Sequence, residues 1–331
     1  MKAHLVSIVI VNWNGKKWLK TCLDSVFRQT YRQFEVIMVD NGSNDNSQAF
    51  VREYFPKVKV IELDQNYGFA KGNNVGIEKA KGDIVFLLNN DTVIDKDMLE
   101  KIVPVFDNPK IGTAQPKIVL MNESNMLDLA GAFWTSTTFL SYFGLRAKSN
   151  LRKYNEPLKV FSNKGAAMFI RKSMLDKIGC FDEDFWCYYE ETDLCHRAWL
   201  AGFECWYYPV STCHHANGGT SLVFENSFIQ FHNFKNKLLS FLKNFEAGSL
   251  VTIIPTYLFC LLGLILFFGL KGEGSKSLAL IKSLLWNVQN LSKTLRKRGK
   301  VQKLRQLKDH EYLPAISRSL SITQIFSLLS K

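Results

Sequence analysis

The fold is decided by residues 6–15, which read Val6-Ser-Ile-Val-Ile-Val-Asn-Trp-Asn-Gly15. The apolar run Val6–Val11 is rich in β-branched residues, which predicts a strand buried on both faces of a sheet. Two polar residues, Asn12 and Asn14, follow it. From Gly15 to Gln29 apolar residues recur every three or four positions, which predicts a helix. A buried strand, a polar turn and a helix form the first half of a parallel βαβ unit.

The same alternation continues to residue 91. Further strands are predicted over Phe34–Val39, Lys57–Leu63 and Ile84–Leu88, with helices through Phe50 and Tyr54 and over Gly72–Ala80. Strands alternating with helices predict an α/β fold with a doubly wound, mostly parallel sheet flanked by helices. Ligands bind beyond the carboxyl ends of such strands. Polar residues stand there at Asn12 and Asn14, at Asp40, and at Asn89 to Asp91, which predicts a shared site.

The chain has 331 residues and is 47 % apolar, enough for one large domain or two ordinary ones. Its formal charge is +12, but residues from Lys271 onward contain 13 Lys and Arg against 3 Asp and Glu. The first 270 residues are therefore nearly neutral, which argues against a nucleic-acid-binding catalytic domain. A basic tail instead predicts contact with anionic lipid headgroups.

Seven cysteines are present, and no two have the C-x-x-C spacing. This favours free thiols in a reducing compartment. A zinc site built from Cys205, Cys213, His214 and His215 is the alternative, although it lacks the usual paired-ligand spacing. The run Val6–Val11 is too short for the apolar region of a signal peptide, so we expect the catalytic part to stay in the cytoplasm.

The composition changes at residue 228, which divides the chain into a predicted catalytic domain, 1–227, and a helical membrane-associating tail, 228–331. Residues 248–270 carry no charge and are long enough to span a bilayer. Basic amphipathic helices follow over 276–331. A single span would separate the basic tail from the catalytic domain, whereas both favour the cytoplasmic side. Three arrangements are open. They are a re-entrant or in-plane helical pair turning at 269–274, one true span, and a buried helix or oligomer contact.

Six blocks of sequence then point to a family. They are Ser7-Ile-Val-Ile-Val-Asn-Trp-Asn-Gly15, Val39-Asp-Asn-Gly-Ser-Asn-Asp45, Asn66-Tyr-Gly-Phe-Ala-Lys-Gly-Asn-Asn74, Leu87-Leu-Asn-Asn-Asp-Thr92, Gly165-Ala-Ala-Met-Phe-Ile170 and Tyr188-Tyr-Glu-Glu-Thr-Asp-Leu194. In this order, over about residues 5–240, they resemble the inverting glycosyltransferases of family 2, which have the GT-A fold. Within that family the pattern is most similar to the bacterial rhamnosyltransferase-type branch.

The resemblance implies transfer of a sugar from a nucleotide-diphosphate sugar, such as dTDP-rhamnose or a UDP-sugar, to a hydroxyl of a glycan or lipid-linked glycan. The product would belong to a surface polysaccharide or the cell wall. The Q-x-x-R-W motif of processive synthases is absent, so we expect addition of a single sugar. The alternatives are nucleotidyl transfer, whose Gly-rich triphosphate loop is not evident, and a catalytically degenerate sugar-binding or scaffolding relative.

The resemblance also implies which residues bind the donor. They are Asn12, Asn14, Asp40, Asn66, Gly68, Asn73, Asn90, Glu190, Asp193, His214 and His215. Asp40 would hold the nucleoside, with an N-cap of the next helix as its alternative role. One of the two histidines, with Asn217 to Ser221, resembles the family's H-x-x-G-x-S stretch and could contact the diphosphate or a metal; a structural histidine is equally compatible.

Asn89-Asn90-Asp91 matches the D-x-D position of the family, with a single carboxylate remaining. We expect Asp91 to bind a divalent cation, Mg²⁺ or Mn²⁺, together with donor phosphate oxygens. Glu190-Glu191-Thr192-Asp193 matches the E-D-x-D block, in which the second acidic residue is the general base. Here that residue is Glu191 in place of Asp, and its longer side chain changes the reach to the acceptor hydroxyl. A helix cap at Asp91 and a solvated acidic helix start at Glu191 are the structural alternatives.

Overall fold

The structure, a computed structural model, describes residues 4–216 and 225–320. Twelve strands are described: β1 Val6–Asn12, β2 Phe34–Asn41, β3 Lys59–Leu63, β4 Ile84–Leu88, β5 Thr92–Ile94, β6 Ile111–Leu120, β7 Glu123–Leu127, β8 Ala132–Phe133, β9 Ser141–Tyr142, β10 Leu158–Lys159, β11 Ala167–Arg171 and β12 Glu204–His215. The α-helices described are α1 Lys16–Phe27, α2 Ser47–Tyr54, α3 Gly68–Lys79, α4 Met98–Ile102, α5 Lys172–Ile178, α6 Glu190–Leu200, α7 Asn226–Asn244, α8 Ala247–Leu270, α9 Gly274–Gln289, α10 Leu291–Lys303 and α11 Asp309–Tyr312.

The main sheet has the strand order β10-β12-β6-β11-β4-β1-β2-β3. Outside this order, β5 pairs with β12 and β7 pairs with β6. The four strands β4, β1, β2 and β3 are parallel neighbours, as the alternating pattern predicts. Beyond β4 the sheet becomes mixed, because β11 runs antiparallel to both β4 and β6. The predicted α/β fold is confirmed, and the carboxyl ends of β1, β2 and β4 meet at one edge.

The helix α3 begins at Gly68, four residues before the predicted start at Gly72. The side-chain oxygen of Asn66 accepts a hydrogen bond from the Gly68 N–H at 2.9 Å, which satisfies an otherwise unpaired donor of the first turn. Gly68 has a φ of +84°, a conformation that favours glycine. The Gly- and Asn-rich stretch therefore lies largely inside the helix.

The tail packs into the same hydrophobic interior as the catalytic part. One cluster of buried side chains contains Trp134 and Tyr189 together with Phe241 and Phe245 of α7 and its C-terminal end. Trp134 contacts both phenylalanines at ring-centroid distances of 5.2 and 4.8 Å. It also forms a parallel bridge to Ser317 near the end of the described chain. We expected a boundary between residues 227 and 228, whereas the packed core continues across it.

Helices α8 and α9 form a hairpin that turns over residues 271–273, where Gly272 has a φ of +75°. Within the described residues, α8 is the one helix long and apolar enough to cross a membrane. Only 17 % of its most apolar 18-residue stretch is buried. Val251, Phe259 and Leu270 are 73, 79 and 90 % exposed, respectively. The exposed large apolar residues continue on α9 and α10 with Leu278, Ile281, Leu285, Val288, Leu291 and Leu295. We call these residues of α8, α9 and α10 the apolar face.

Candidate active site

The ends of β1 and β2 meet through Asn12 and Asp40, both fully buried. The Asn12 amide donates to a carboxylate oxygen of Asp40 at 3.0 Å. The other oxygen of Asp40 accepts from the Ser43 backbone N–H at 2.9 Å and from Gln48 at 2.8 Å. Asp40 does not occupy the N-cap of α2, which is Asn46. Gln48 was not identified from the sequence, because nothing in its spacing distinguishes it from a helix surface residue.

The end of β4 joins the same cluster. Asn90 donates to the side-chain oxygen of Asn12 at 2.7 Å, so three strand ends are linked through one chain of amides and a carboxylate. A Cβ atom at Gly15 would lie 2.1 Å from the Asn90 amide nitrogen and 2.6 Å from the Asn12 oxygen. Any side chain at residue 15 would therefore clash with the contact between Asn90 and Asn12.

The adjoining loops are fixed by asparagine side chains. Asn14 has a φ of 49°, and its side-chain oxygen accepts from the Asn44 backbone N–H at 2.8 Å. Asn41 donates to Asn66 at 2.9 Å and to the Gly68 carbonyl at 3.0 Å. Asn14 and Asn66 thus act on loop geometry in this structure, and Asn41 is a further loop residue that the sequence analysis did not single out.

Gly68 and Asn73, both on α3, lie close to other groups of the protein. A Cβ at Gly68 would come within 2.5 Å of the Trp186 carbonyl oxygen, which itself accepts from the Ala70 N–H at 3.0 Å. The Asn73 amide donates to the Phe69 carbonyl at 2.9 Å, within its own helix. Both residues are predicted to bind the donor; in this structure several polar groups of this helix start hydrogen-bond to other protein groups.

Asp91 is one end of a line of four charged or titratable side chains. Its carboxylate lies 3.3 Å from Nε2 of His215, whose Nδ1 lies 2.7 Å from Asp128. Asp128 also pairs with the Lys164 ammonium at 2.6 Å. Burial raises the pKa of Asp128, but the bond to His215 and the charge of Lys164 outweigh it and lower that pKa. Asp128 and Lys164 were not identified from the sequence, since neither lies in a recognisable motif.

His214 points away from this line, as alternate residues of a strand must. Its Nε2 lies 3.5 Å from Asp95, on a partly exposed surface. Cys205 and Cys213 are buried. Within the described residues no three His, Cys, Asp or Glu side chains form a group that could hold a metal ion. The four residues of the alternative zinc site therefore do not converge.

Asp91 and His215 provide one carboxylate and one imidazole that face each other while both are buried. Two protein ligands suit a cation that completes its shell with phosphate oxygens and water. This donor set fits a divalent metal held jointly with a bound donor. The remainder of the H-x-x-G-x-S stretch, 217–221, lies outside the described residues.

A cavity of about 170 Å³ lies beside the second acidic block. Its lining includes Leu129, Ala132, Leu140, Tyr142, Ser162, Asn163, Tyr188, Tyr189, Glu190, Glu191, Thr192 and Asn233. One carboxylate oxygen of each glutamate and the Tyr189 hydroxyl are buried without a hydrogen-bond partner among the described residues. Unpaired buried polar atoms are costly, so this wall is suited to receive a polar ligand.

Burial raises the pKa of both glutamates. The Glu190 pKa lies well above its usual range because of burial and then the charge of Glu191. Burial also dominates at Glu191, while the positive charge of Lys164 acts in the opposite direction. A carboxylate with raised proton affinity at the wall of a cavity is suited to the role of a general base.

Asp193 lies one turn further along α6 and faces α7. It is 1 % exposed, and its oxygens accept from Arg197 at 2.9 Å, Lys243 at 3.2 Å and Asn244 at 2.9 Å. Burial raises its pKa, but the charges of Lys243 and Arg197 lower it overall. We expected a donor-binding residue; the structure places Asp193 where α6 and the tail join.

A family model described as glycosyl transferase family 2 matches residues 7–179, just over half of the chain. The chain belongs to glycosyl transferase family 2. Among its relatives is the low-salt glycan biosynthesis hexosyltransferase Agl10 of Haloferax volcanii, 25 % identical over 71 % of this chain and 75 % of that protein. Glycosyltransferase GlyG of Streptococcus pneumoniae is 31 % identical over 30 % of this chain. That match spans 34 % of GlyG, so most of that protein lies outside it.

Solved structures share the fold. The mannosyltransferase PcManGT from Pyrobaculum calidifontis, solved with GDP-Man and Mn²⁺, has a TM-score of 0.55 at 16 % identity, covering 87 % of this chain and 88 % of that one. GalNAc-T7, solved with UDP, GalNAc and Mn²⁺, has a TM-score of 0.58 at 17 % identity, over 73 % of this chain and 48 % of that one. The predicted GT-A fold is confirmed by these likenesses.

Proposed function

We propose that this chain transfers a single sugar, with inversion, from a nucleotide-diphosphate sugar to a hydroxyl of a glycan or lipid-linked glycan. The observation that carries the proposal is the unpartnered carboxylate oxygen of Glu191 at the wall of the 170 Å³ cavity. Family membership and relatives in glycan biosynthesis support the reaction class. We propose that the product belongs to a surface polysaccharide or the cell wall, which a relative in glycan biosynthesis supports.

In the proposed reaction the acceptor hydroxyl lies in the cavity beside Glu191. Its oxygen attacks the anomeric carbon as Glu191 takes its proton, and the bond from that carbon to the diphosphate breaks. Attack opposite to the leaving group inverts the configuration at that carbon.

The donor is proposed to bind at the linked ends of β1, β2 and β4. We propose that Asp40, which Asn12 and Gln48 hold in position, accepts hydrogen bonds from a uracil or thymine and from ribose hydroxyls. This is compatible with a UDP-sugar or with dTDP-rhamnose, the donor suggested by the rhamnosyltransferase-type pattern. The diphosphate would extend toward Asp91.

Asp91 and His215 are the residues proposed to hold a divalent cation, Mg²⁺ or Mn²⁺, with the donor diphosphate. When bound, the cation neutralises negative charge on the departing nucleoside diphosphate. Asp128 fixes the orientation of the His215 ring. The Mn²⁺ in the solved structures of PcManGT and GalNAc-T7 supports this proposal.

A panel of nucleotide sugars tests the proposal most directly. Each is assayed for protection against thermal unfolding with and without Mn²⁺, and for release of nucleoside diphosphate. A donor at 100 times its Kd stabilises the fold by about 2.7 kcal/mol. Binding with turnover supports the enzyme, whereas binding without turnover under any acceptor condition supports the degenerate sugar-binding relative.

We further propose that the apolar face lies in the plane of the cytoplasmic membrane leaflet. The hairpin of α8 and α9 carries large exposed apolar residues, and α9 packs on α7. Residues after α10 contact the catalytic part again, because Tyr312 bonds His196 at 2.9 Å. This contact supports the proposal that both ends lie on the same side of the membrane, with an in-plane pair in place of one true span. The basic residues of the tail would contact anionic lipids.

A further inference from the structure

The segment before Glu190 has an unusual backbone. Trp186, Tyr188 and Tyr189 have φ values of 62°, 65° and 69°. Large aromatic residues disfavour this left-handed region, and such residues persist only where surrounding contacts hold them. Tyr189 is the N-cap of α6, with no side-chain cap. The direction of the chain here thus decides where the first turn of α6 places Glu190 and Glu191.

One buried side chain of the tail holds this segment. Asn236, on α7, is fully buried. Its amide group donates to three backbone carbonyls, those of Phe185 at 2.9 Å, Cys187 at 2.8 Å and Tyr188 at 2.6 Å. Two N–H groups are thus shared among three oxygens of one short loop.

Neighbouring residues of α7 contact the same loop at its beginning. His232 lies 3.2 Å from the Phe185 carbonyl, and the Lys235 ammonium donates to the Asp184 carbonyl at 2.5 Å. On the opposite side, the Trp186 carbonyl accepts from Ala70 of α3 at 3.0 Å. The loop therefore lies between α7 and α3, which borders the proposed donor site. Among these α7 residues, Asn236 bonds the part of the loop that is nearest in sequence to Glu190 and Glu191.

We propose that Asn236 is a positioning residue that sets the place of Glu191 through the backbone of residues 185–189. This inference rests on the proposed function, in which Glu191 is the general base. Loss of the Asn236 amide would let the loop relax from its left-handed conformation and move the first turn of α6. Donor binding, which uses the ends of β1, β2 and β4, would remain.

The test compares Asn236→Leu with Asn287→Leu. Asn287, on α9, is also buried and also donates to backbone carbonyls, those of Lys235 at 3.0 Å and Ser283 at 2.9 Å, but it does not contact the loop. Asn236→Leu should lower kcat about 10- to 100-fold, the effect of a displaced catalytic group. Its donor KM should stay within about twofold of the wild-type value. The Asn287→Leu variant should keep kcat within about threefold at a comparable loss of thermal stability.

A double-mutant cycle separates positioning from general destabilisation. If Asn236 acts through Glu191, adding Asn236→Leu to Glu191→Gln should lower kcat little further. Additive losses, or a folded Asn236→Leu variant with wild-type kcat, would overturn the inference. If the leucine variant does not fold, Asn236→Gln keeps the amide one methylene further out, and the same loss of kcat is expected.

Hydrogen exchange gives a readout independent of turnover. Amides of residues 185–191 should exchange faster in Asn236→Leu than in wild type, with no such change in Asn287→Leu. Unchanged exchange in this loop would refute the role of Asn236 even if no donor were turned over. Absence of donor turnover by the wild type would instead count against the proposed function.

Discussion

The Nδ1 atom of His215 lies 2.7 Å from the carboxylate of Asp128. Both side chains are buried, and the ring thereby turns its other nitrogen toward Asp91, at 3.3 Å. A carboxylate behind a histidine fixes the ring tautomer and orientation of a metal ligand. Asp128 therefore belongs to the proposed metal site although it would not touch the metal.

Replacing Asp128 should weaken that site without removing a ligand. We expect Asp128→Asn to lower Mn²⁺ affinity about 10- to 100-fold, the usual effect of losing such a partner. Isothermal titration of Mn²⁺ in the presence of the nucleoside diphosphate measures it, with Asp91→Asn as the reference for complete loss. Asp95→Asn is the matched control, because Asp95 faces His214 at 3.5 Å on the surface. Equal affinities for Asp128→Asn and wild type would contradict the assignment.

Glu191→Gln should abolish transfer while donor binding persists. The amide keeps the size of the side chain but cannot accept a proton, and loss of a general base costs about 10²–10⁴ in rate. Donor affinity from titration and turnover with the true acceptor are the two measurements. Near wild-type turnover would rule out Glu191 and direct attention to Glu190, which lines the same cavity.

The rate should fall on the acid side at a pH above the ordinary pKa of glutamate. Burial raises the pKa of Glu191, and the protonated form cannot serve as base. Because Lys164 opposes this rise, Lys164→Met should raise the Glu191 pKa further and move the acid limb of kcat/KM to higher pH. A pH–rate profile of both proteins checks the sign; a shift to lower pH would refute it.

Asp193→Asn should destabilise the fold, because it leaves Lys243 and Arg197 as buried cations with one partner fewer. Breaking a buried pair in this way costs about 3–5 kcal/mol. The pKa of Asp193 is lowered in the folded protein. Its contribution to the free energy of unfolding is therefore present at pH values above the unfolded pKa of about 3.9, and it is lost as the pH falls through the folded pKa.

Urea denaturation at neutral and acid pH tests both parts of this prediction. The control is Asp176→Asn, whose pairing with Lys172 at 3.1 Å is on the surface and should contribute less than about 1 kcal/mol. A loss at Asp193 no larger than at Asp176 would show that the α6–α7 junction does not depend on this carboxylate.

The membrane arrangement is tested by labelling from outside intact cells. A cysteine introduced by Ser319→Cys should stay unlabelled by an impermeant maleimide and become labelled once the cells are permeabilised. The proposed in-plane position of the apolar face keeps residue 319 on the cytoplasmic side with the catalytic part. Labelling from outside would establish that the tail has crossed the bilayer.

The sequence predicted the parallel half of the site well. Strand runs and the polar residues after them placed Asn12 beside Asp40, and the structure links them at 3.0 Å. Asp128 and Lys164, in the mixed half, were missed because they lie in connections between strands, without a periodic pattern. Asn236 was missed for another reason. Its partners are carbonyl oxygens of a distant loop, and a backbone acceptor leaves no residue-type signal in the sequence.

The hydrophobic cluster that crosses residue 227 determines how the molecule should melt. Side chains of α7 and of the catalytic part share one close-packed interior, so neither can lose its packing while the other keeps it. We therefore expect unfolding to be a single cooperative transition that includes the tail. A protein truncated after residue 227 would retain a sheet but lack the partners of Trp134 and Tyr189. Such a truncated protein should have the properties of a molten globule, with native-like secondary structure, exposed apolar surface and no sharp thermal transition.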